Sequence, residues 1–214
     1  MKLKYKEEKQ RKTPKKEPLI LIVGRSGSGK TTIANKLSEK YGMKQVISLT
    51  DRPKRNEQEA GHIFVSTEEM LDILKKSENA GENLEDRIVG YTFFDQHHYC
   101  ARMKDLDGKA VYVIDPKGIE LLKSLDFVTD HRQLITVGIA VSDDERQERM
   151  LKRGDSKEKV QERIQNDKDR FQNLTMISNY IFCNEKIGDL GFYDKDTVES
   201  IAEEIYKIYK GAKK

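Results

Sequence analysis

The chain has 214 residues, which is enough for one large domain or two small ones. Charged residues of both signs make up 36% of it, and the net charge is only +3. Residues 1–18 carry eight Lys or Arg against three Glu, a net of +5, so the remainder sums to −2. The body of the chain lacks the basic excess of nucleic-acid-binding domains, and nucleic acid is not an expected partner.

The first 18 residues are polar, contain two prolines and lack the apolar centre of a secretory signal, so we predict a disordered basic tail at 1–18. No apolar run approaches the roughly 18 residues that a membrane span needs. The two cysteines, Cys100 and Cys183, are far apart without metal-ligand spacing, and reduced thiols in the cytoplasm are the simplest account of them. We therefore expect a cytoplasmic protein without a membrane segment; its oligomeric state is not indicated.

Apolar periodicity and turn residues predict strands that alternate with helices. In chain order we predict strand 19–23, helix 31–41, strand 46–49, extended segment 61–65, helix 67–76, loop 77–87, strand 88–94, helix 96–106, strand 110–114, helix 118–125, strand 134–141, helices 143–153 and 157–174, strand 179–183 and helix 196–210. This alternation predicts an α/β fold with a parallel sheet covered on both faces. The segment 50–100 breaks the alternation and is predicted as an inserted small β-rich lobe.

The most specific motif follows the first strand and reads Gly24-Arg25-Ser26-Gly27-Ser28-Gly29-Lys30-Thr31. It fits the phosphate-binding loop, which has two separated glycines, then Lys, then Ser or Thr. Glycines let the backbone curl so that its N–H groups point at an anion, and the helix that follows adds its positive dipole end. Lys30 can bridge the β- and γ-phosphates of a nucleotide, and the Thr31 hydroxyl can ligate Mg²⁺.

Two further groups of residues suit phosphate chemistry at the carboxyl ends of strands. Arg52 and Arg55 flank a proline after the second strand, and two guanidinium groups on one stiff turn can grip a second phosphate. The alternative is a solvated basic turn. Asp115 directly follows another predicted strand and is a site candidate by position.

The third group consists of Arg146, Arg149, Arg153 and Arg163. The first three lie on one helix face at spacings of three and four residues. Arginines on a mobile lid can neutralise the charge that spreads over a transferring phosphoryl group. The alternative is that these are surface ion pairs, Arg149 with Glu145 and Arg163 with Asp167.

The motifs from about Leu19 to Lys210 resemble those of guanylate kinases. The matching segments are the glycine loop with Thr32, Thr50-x-Arg52-Pro53-x-Arg55 followed by Gly61-x-x-Phe64, Ile114-Asp115-Pro116-Lys117-Gly118, Arg149-x-x-x-Arg153-Gly154-Asp155-Ser156 with Arg163, and Tyr180-Ile181-Phe182-Cys183-Asn184. All five occur in the family's order on the expected elements.

The resemblance implies a three-layer P-loop sandwich within residues 19–210, with a parallel core sheet. It also implies a lobe at about 50–100 that binds the monophosphate, and an arginine-bearing helical lid at about 143–165. The implied reaction transfers phosphate from ATP, bound with Mg²⁺, to a nucleoside monophosphate. GMP or dGMP is the acceptor that the family would suggest.

The resemblance also assigns roles to individual residues. ATP-binding residues are Gly24, Arg25, Ser26, Gly27, Ser28, Gly29, Lys30, Thr31, Thr32 and Asn184, with Thr31 on the Mg²⁺ that arrives with the nucleotide and Asn184 near adenine. Catalytic residues are Lys30, Arg149, Arg153 and Arg163. Monophosphate-binding residues are Arg52, Arg55, Phe93 and Asp115.

The chain departs from the family pattern mainly where the base is read. Asp51 stands where Thr is usual, the segment Gly61 to Phe64 is two residues short, and the Glu that reads the guanine edge has no secure counterpart. Because base-reading positions are less well preserved than phosphate-reading ones, two alternatives stay open. One is a kinase for another nucleoside monophosphate, and the other is a binding module of this kind without turnover.

Overall fold

The computed structural model describes residues 16–54, 57, 59, 61–81, 83–94, 96–185 and 197–213; predictions that concern residues 1–15 or Arg55 lie outside them. The strands are β1 (Glu17–Gly24), β2 (Lys44–Val46), β3 (Ser48–Thr50), β4 (His62–Phe64), β5 (Ile88–Phe94), β6 (His97–Arg102), β7 (Ala110–Val113), β8 (Arg132–Ala140) and β9 (Tyr180–Cys183). The helices are α1 (Lys30–Tyr41), α2 (Thr67–Glu78), α3 (Pro116–Ser124), α4 (Asp126–Thr129), α5 (Asp143–Lys152), α6 (Lys157–Arg170), α7 (Leu174–Ile177) and α8 (Thr197–Lys213).

The core is a five-stranded parallel sheet in the order β2-β7-β1-β8-β9. Its central strand β1 is apolar and fully buried from Leu19 to Val23, as expected for a parallel strand covered on both faces. One face packs against α1 and α8, whose buried side chains include Leu37 and Ile205. The other face packs against α3 through Ile119 and Leu122. The predicted α/β fold with a parallel core sheet is confirmed.

A second sheet of four strands, in the order β4-β3-β6-β5, forms the inserted β-rich lobe. Its outer face is covered by α2, where Met70 packs against Leu49 and Cys100. The lobe meets the core sheet at the end of β7, where the Ser48 and Tyr112 hydroxyls lie 3.0 Å apart. The lobe is therefore anchored beside the carboxyl end of the core sheet, the edge at which such folds bind ligands.

Two predicted elements differ from the structure. The predicted strand 46–49 is two strands, with β2 in the core sheet and β3 in the lobe. The predicted helix 96–106 is the strand β6 followed by a 3₁₀ turn at Met103–Leu106. A tight turn with Gln96 in the left-handed region folds β6 back on β5, and β6 also pairs with β3. These long-range hydrogen bonds decide its conformation, and a local pattern cannot report them.

Smaller differences concern element ends. Strand β1 begins at Glu17, two residues inside the segment predicted as tail. Ser66 caps α2 and forms a reciprocal capping box with Glu69. Helix α6 ends at Arg170, short of the predicted 174. Within the described part of the chain, no helix is long and apolar enough to cross a membrane.

Candidate functional site

The phosphate-binding loop joins the end of β1 to the start of α1. Gly27 and Gly29 have φ values of 77° and 90°, the left-handed region that only glycine adopts without strain. No described side chain caps the start of α1 at Gly29, so the first N–H groups of the helix stay available to an anion. The Thr31 and Thr32 side chains are exposed in this first turn. The loop therefore combines a tight glycine turn with an uncapped helix start, a geometry compatible with phosphate binding.

Lys30 lies inside this loop and is strongly perturbed. Its Nζ donates a hydrogen bond of 2.9 Å to the Arg25 carbonyl oxygen. Burial lowers its pKa to about 8, and the Asp167 carboxylate only partly opposes that shift. The positive charges that lower this pKa further are Arg146, Arg153 and Arg170. The pKa of Lys30 is thus lowered both by its burial and by the positive charges of these arginines.

Arg146 and Asp167 hydrogen-bond to the backbone of the phosphate-binding loop. The Arg146 side chain is fully buried, and its Nη2 donates to Asp167 Oδ2 at 2.7 Å. Burial lowers the pKa of Arg146, and Asp167 and Asp143 oppose that shift. Arg146 Nε also donates to the Ser26 carbonyl oxygen at 2.7 Å, and Asp167 Oδ2 accepts the Ser26 N–H at 2.7 Å. The loop backbone is thereby tied to both α5 and α6.

Asn184, which follows β9, supports the other end of the loop. Its side chain is buried and donates to the Ser28 carbonyl oxygen at 2.9 Å. The backbone carbonyl oxygen of Asn184 accepts a hydrogen bond of 2.7 Å from Arg149 Nη2, and Arg149 Nε pairs with Glu145 at 2.8 Å. The amide of Asn184 is thus engaged with the loop in this structure, and its contact with adenine stays a prediction.

The other arginines predicted for the lid are paired with an aspartate. Arg153 and Arg163 share Asp155, the latter at 3.3 Å. The surface-pair alternative is therefore wrong about Arg163, which pairs with Asp155 and not with Asp167, but it is right about Arg149 and Glu145. Arg170 Nη2 lies 2.6 Å from Asp115 Oδ2, and the other oxygen of Asp115 accepts the N–H of Gly118, capping α3.

On the lobe, the Arg52 side chain is buried and paired with a carboxylate, and not exposed to solvent. It forms a two-pronged ion pair with Glu59 at 2.8 and 3.3 Å, and it lies 5.4 Å from the centre of the Phe64 ring. Burial opposes its charge, but hydrogen bonds with Glu59 and Tyr99 outweigh burial and raise its pKa. The solvated-turn alternative does not describe Arg52. Its Nε is buried with no hydrogen-bond partner among the described residues.

The structure does not bring Phe93 to Arg52. In the register of the hairpin, Thr92 pairs with Tyr99, and Phe93 pairs with His98. Because neighbouring residues of a strand point to opposite faces, Phe93 lies on the face opposite to Tyr99. There it contacts the His98 ring at 4.8 Å and is 55% exposed. The remaining acceptor candidate, Arg55, lies outside the described residues.

Sequence reasoning missed Asp167, Arg170, Glu59 and Tyr99 as members of the site. One signal was available for the first two. Arg163, Asp167 and Arg170 are spaced by four and three residues, so they share one face of α6. Glu59 and Tyr99 reach Arg52 through the folding of the lobe, and no local spacing marks them.

The described residues contain no group of three or more His, Cys, Asp or Glu placed to hold a metal ion. The exposed Thr31 hydroxyl beside Lys30 nevertheless fits a Mg²⁺ ion that arrives on nucleotide phosphates, since such an ion takes few protein ligands.

Comparison with known proteins agrees with this geometry. The model of a family described as an AAA domain matches residues 20–171. No curated protein sequence matches the chain. The crystal structure of guanylate kinase from Anaplasma phagocytophilum is similar at a TM-score of 0.57 and 18% identity, covering 92% of this chain and 86% of that chain. At this identity the likeness concerns the fold.

Two further solved structures are similar at lower scores. Shikimate kinase from Acinetobacter baumannii has a TM-score of 0.47 and 14% identity, covering 92% of this chain and 95% of that one. A protein from Eubacterium ventriosum has a TM-score of 0.46 and 15% identity, covering 90% and 98%. Scores below 0.5 add no argument about function.

Two glycines, Gly29 before α1 and Gly42 after it, allow a matched pair of substitutions. A Cβ on Gly29 would lie 2.4 Å from Asn184 Nδ2, whereas a Cβ on Gly42 would meet nothing within 4 Å, although both residues have positive φ. We expect Gly42→Ala to cost about 1–2 kcal/mol of stability from backbone strain alone and to leave Mg·ATP binding unchanged. Gly29→Ala should also displace Asn184 and weaken Mg·ATP binding by more than tenfold.

Urea denaturation and isothermal titration calorimetry measure these two effects. Equal ATP affinities for the Gly29→Ala and Gly42→Ala proteins would contradict the assigned role of the loop.

The lowered pKa of Lys30 predicts a pH-dependent affinity. A lysine with a pKa of about 8 is protonated at pH 7 and about one-tenth protonated at pH 9. Because the phosphates bind the ammonium form, the Kd for Mg·ATP should rise by about tenfold between pH 7 and pH 9. Lys30→Arg, whose charge persists at both pH values, should show a flat profile.

The same shift has the opposite sign for folding. The pKa of Lys30 is lower in the folded protein than its ordinary value, so its contribution to stability increases as pH rises through 8. A loss of affinity at pH 9 therefore cannot be attributed to unfolding through this group. An affinity that stays constant from pH 7 to pH 9 in the unmodified protein would exclude Lys30 as the phosphate-binding cation.

Proposed function

Since the chain belongs to the AAA domain family of P-loop NTPases, we propose that it is an ATP-dependent nucleoside monophosphate kinase. The observation that carries the proposal is the glycine loop with positive φ at Gly27 and Gly29, which holds Lys30 at the uncapped start of α1. Such a site suits the triphosphate of ATP together with the charge that develops during phosphoryl transfer. GMP or dGMP is the acceptor that the guanylate kinase resemblance favours.

In this proposal the two halves of the site hold the two substrates. The phosphate-binding loop and Lys30 bind the ATP phosphates, and the Thr31 hydroxyl ligates the accompanying Mg²⁺, which supplies charge neutralisation. Arg52, steadied by Phe64 and Tyr99, takes the acceptor phosphate on the lobe. Acceptor binding would exchange the Glu59 carboxylate for phosphate oxygens, since both present paired oxygens to a guanidinium group.

The chemistry needs no protein base in this proposal. An oxygen of the acceptor phosphate is already a nucleophile, so the protein contributes positioning and charge neutralisation. Arg149 lies on α5, Arg153 in the turn that follows it and Arg163 on α6. These three side chains are the groups proposed to bind the phosphoryl group during its transfer. Closure of these elements would also exclude water, which would otherwise hydrolyse ATP.

One observation favours a second candidate, a binding module without turnover. The guanidinium of Arg52 is already neutralised by Glu59, with both side chains only about one-tenth exposed. If that pair never opens, the lobe cannot take an acceptor phosphate while the phosphate-binding loop still binds ATP.

An acceptor panel tests the proposal. ADP release from Mg·ATP is measured with GMP, dGMP, AMP, CMP, UMP or dTMP and without an acceptor, and Lys30→Ala controls for contaminating kinases. We expect turnover that depends on one acceptor, because the two phosphate sites are built around arginine and lysine. Turnover with a nucleotide other than GMP or dGMP would keep the reaction and replace the substrate. ATP binding without acceptor-dependent turnover would favour the binding module.

Arg52 gives a sharper prediction about the acceptor site. Arg52→Ala should raise the KM of the acceptor by roughly 10- to 100-fold, the size of losing a charge-assisted hydrogen-bonded contact, and change the KM of ATP less than twofold. Lys54→Ala is the matched control, since Lys54 lies at the same 5.4 Å from the Phe64 ring but is exposed. Steady-state kinetics with each substrate varied in turn give both constants. Equal increases in the two KM values, or equal effects of the two substitutions, would remove Arg52 from the acceptor site.

A further inference from the structure

We infer that Asp167 is a positioning residue for the nucleotide, because it fixes, with Arg146, the backbone of the phosphate-binding loop at Ser26. The inference rests on the nucleotide-binding half of the proposed function and is independent of the acceptor. It assigns a role to α6 that is distinct from its arginines.

The contacts of Ser26 carry the inference. Asp167 Oδ2 accepts the Ser26 N–H at 2.7 Å, and Arg146 Nε donates to the Ser26 carbonyl oxygen at 2.7 Å. Asp167 and Arg146 are joined at 2.7 Å, and both are buried. The two backbone polar groups of one loop residue are therefore held by a single ion pair, formed between side chains of α5 and α6 that are 21 residues apart in the chain.

This contact sets the conformation of the loop that follows. Gly27 comes next with a φ of 77°, and a Cβ on it would lie 2.9 Å from the Arg146 carbonyl oxygen, so the loop rests directly on α5. The N–H groups from Gly27 onward must turn inward to meet phosphate oxygens. The Ser26 N–H is already taken by Asp167, so Asp167 acts by orienting the loop and not by touching the nucleotide.

The same face of α6 reaches the other parts of the site. Arg163, four residues before Asp167, binds Asp155 in the turn between α5 and α6. Arg170, three residues after it, binds Asp115 at the end of β7. A displacement of α6 would therefore disturb three places at once: the turn between α5 and α6, the phosphate-binding loop and the end of β7. Asp167 is the member of this face that connects it to the loop backbone.

A purely structural ion pair is the competing explanation, and substitutions can separate the two. Asp167→Asn leaves the buried Arg146 with Asp143 as its one remaining carboxylate partner among the described residues, and the loss of the buried carboxylate destabilises the fold. The double substitution Arg146→Leu with Asp167→Ala removes both charges and leaves no buried ion unpaired, so the fold should be retained. It still removes both contacts to Ser26. Asp167→Glu keeps the charge but moves the carboxylate by one methylene.

A matched control exists in the lobe. Asp105 Oδ2 accepts the backbone N–H of Arg102 at 2.8 Å and its Nε at 3.2 Å, so it repeats the pattern of one carboxylate on a backbone N–H and a guanidinium. Asp105→Asn should lose a comparable pair of hydrogen bonds without touching the loop. Its Kd for Mg·ATP should stay within twofold of the wild-type value.

The experiment measures, on the full chain, the Kd for Mg·ATP by calorimetry and the thermal midpoint of each variant. We expect all three Asp167 variants to raise this Kd by about tenfold or more, the size seen when a group that orients a ligand-binding residue is removed. The double variant should do so with a Tm close to that of the wild type. Any Asp167 variant that folds and binds Mg·ATP as tightly as the wild type would overturn the inference.

The outcome for the wild-type chain separates this inference from the proposed function. A wild-type chain that fails to bind Mg·ATP would overturn both. Tight binding by the wild type together with unchanged binding by the variants would overturn only the role of Asp167.

Discussion

The buried positive charge of Arg146 is the constraint around which the nucleotide side of this structure is arranged. A fully buried guanidinium requires hydrogen-bonding partners for its donors, and here they are Asp143, Asp167 and the Ser26 carbonyl oxygen. Meeting that requirement joins α5, α6 and the phosphate-binding loop into one unit. The loop is thus shaped both by its own glycines and by the need to satisfy a charge beneath it.

The lobe is joined to the core sheet by apolar packing, in which Val89 and Ala101 share a buried cluster with Leu21, and by a few close contacts. The hydroxyl pair of Ser48 and Tyr112 joins it to β7, and Gly90 approaches so closely that a Cβ there would lie 2.9 Å from the Tyr112 ring. Gly90 lies on β5, which pairs with β6, and β6 in turn pairs with β3, the strand that precedes Arg52. The close packing of the lobe against the core sheet thus depends on the absence of a side chain at Gly90.

Local sequence patterns were sufficient for the parts of the fold that local forces build. The apolar run of β1, the glycine loop and α1 were predicted within one or two residues because periodicity and turn chemistry determine them. The strand β6 was predicted as a helix, since only its pairing with β3 and β5 makes it a strand. The partners of charged side chains were predictable only within a helix. Arg149 pairs with Glu145 four residues away as expected, whereas Asp167 binds Arg146 on another helix and not Arg163.

The energetics of the pair of Arg146 and Asp167 argue for a role beyond stability. Removing two charges from water costs several kcal/mol per ion, and well-packed apolar residues in such places are often as stabilising or more so. A fold that needed only to join α5 to α6 could do so with leucines. What apolar side chains cannot do is accept the Ser26 N–H and donate to the Ser26 carbonyl oxygen at the same time. The cost of burying the pair is therefore best accounted for by the loop conformation that it holds.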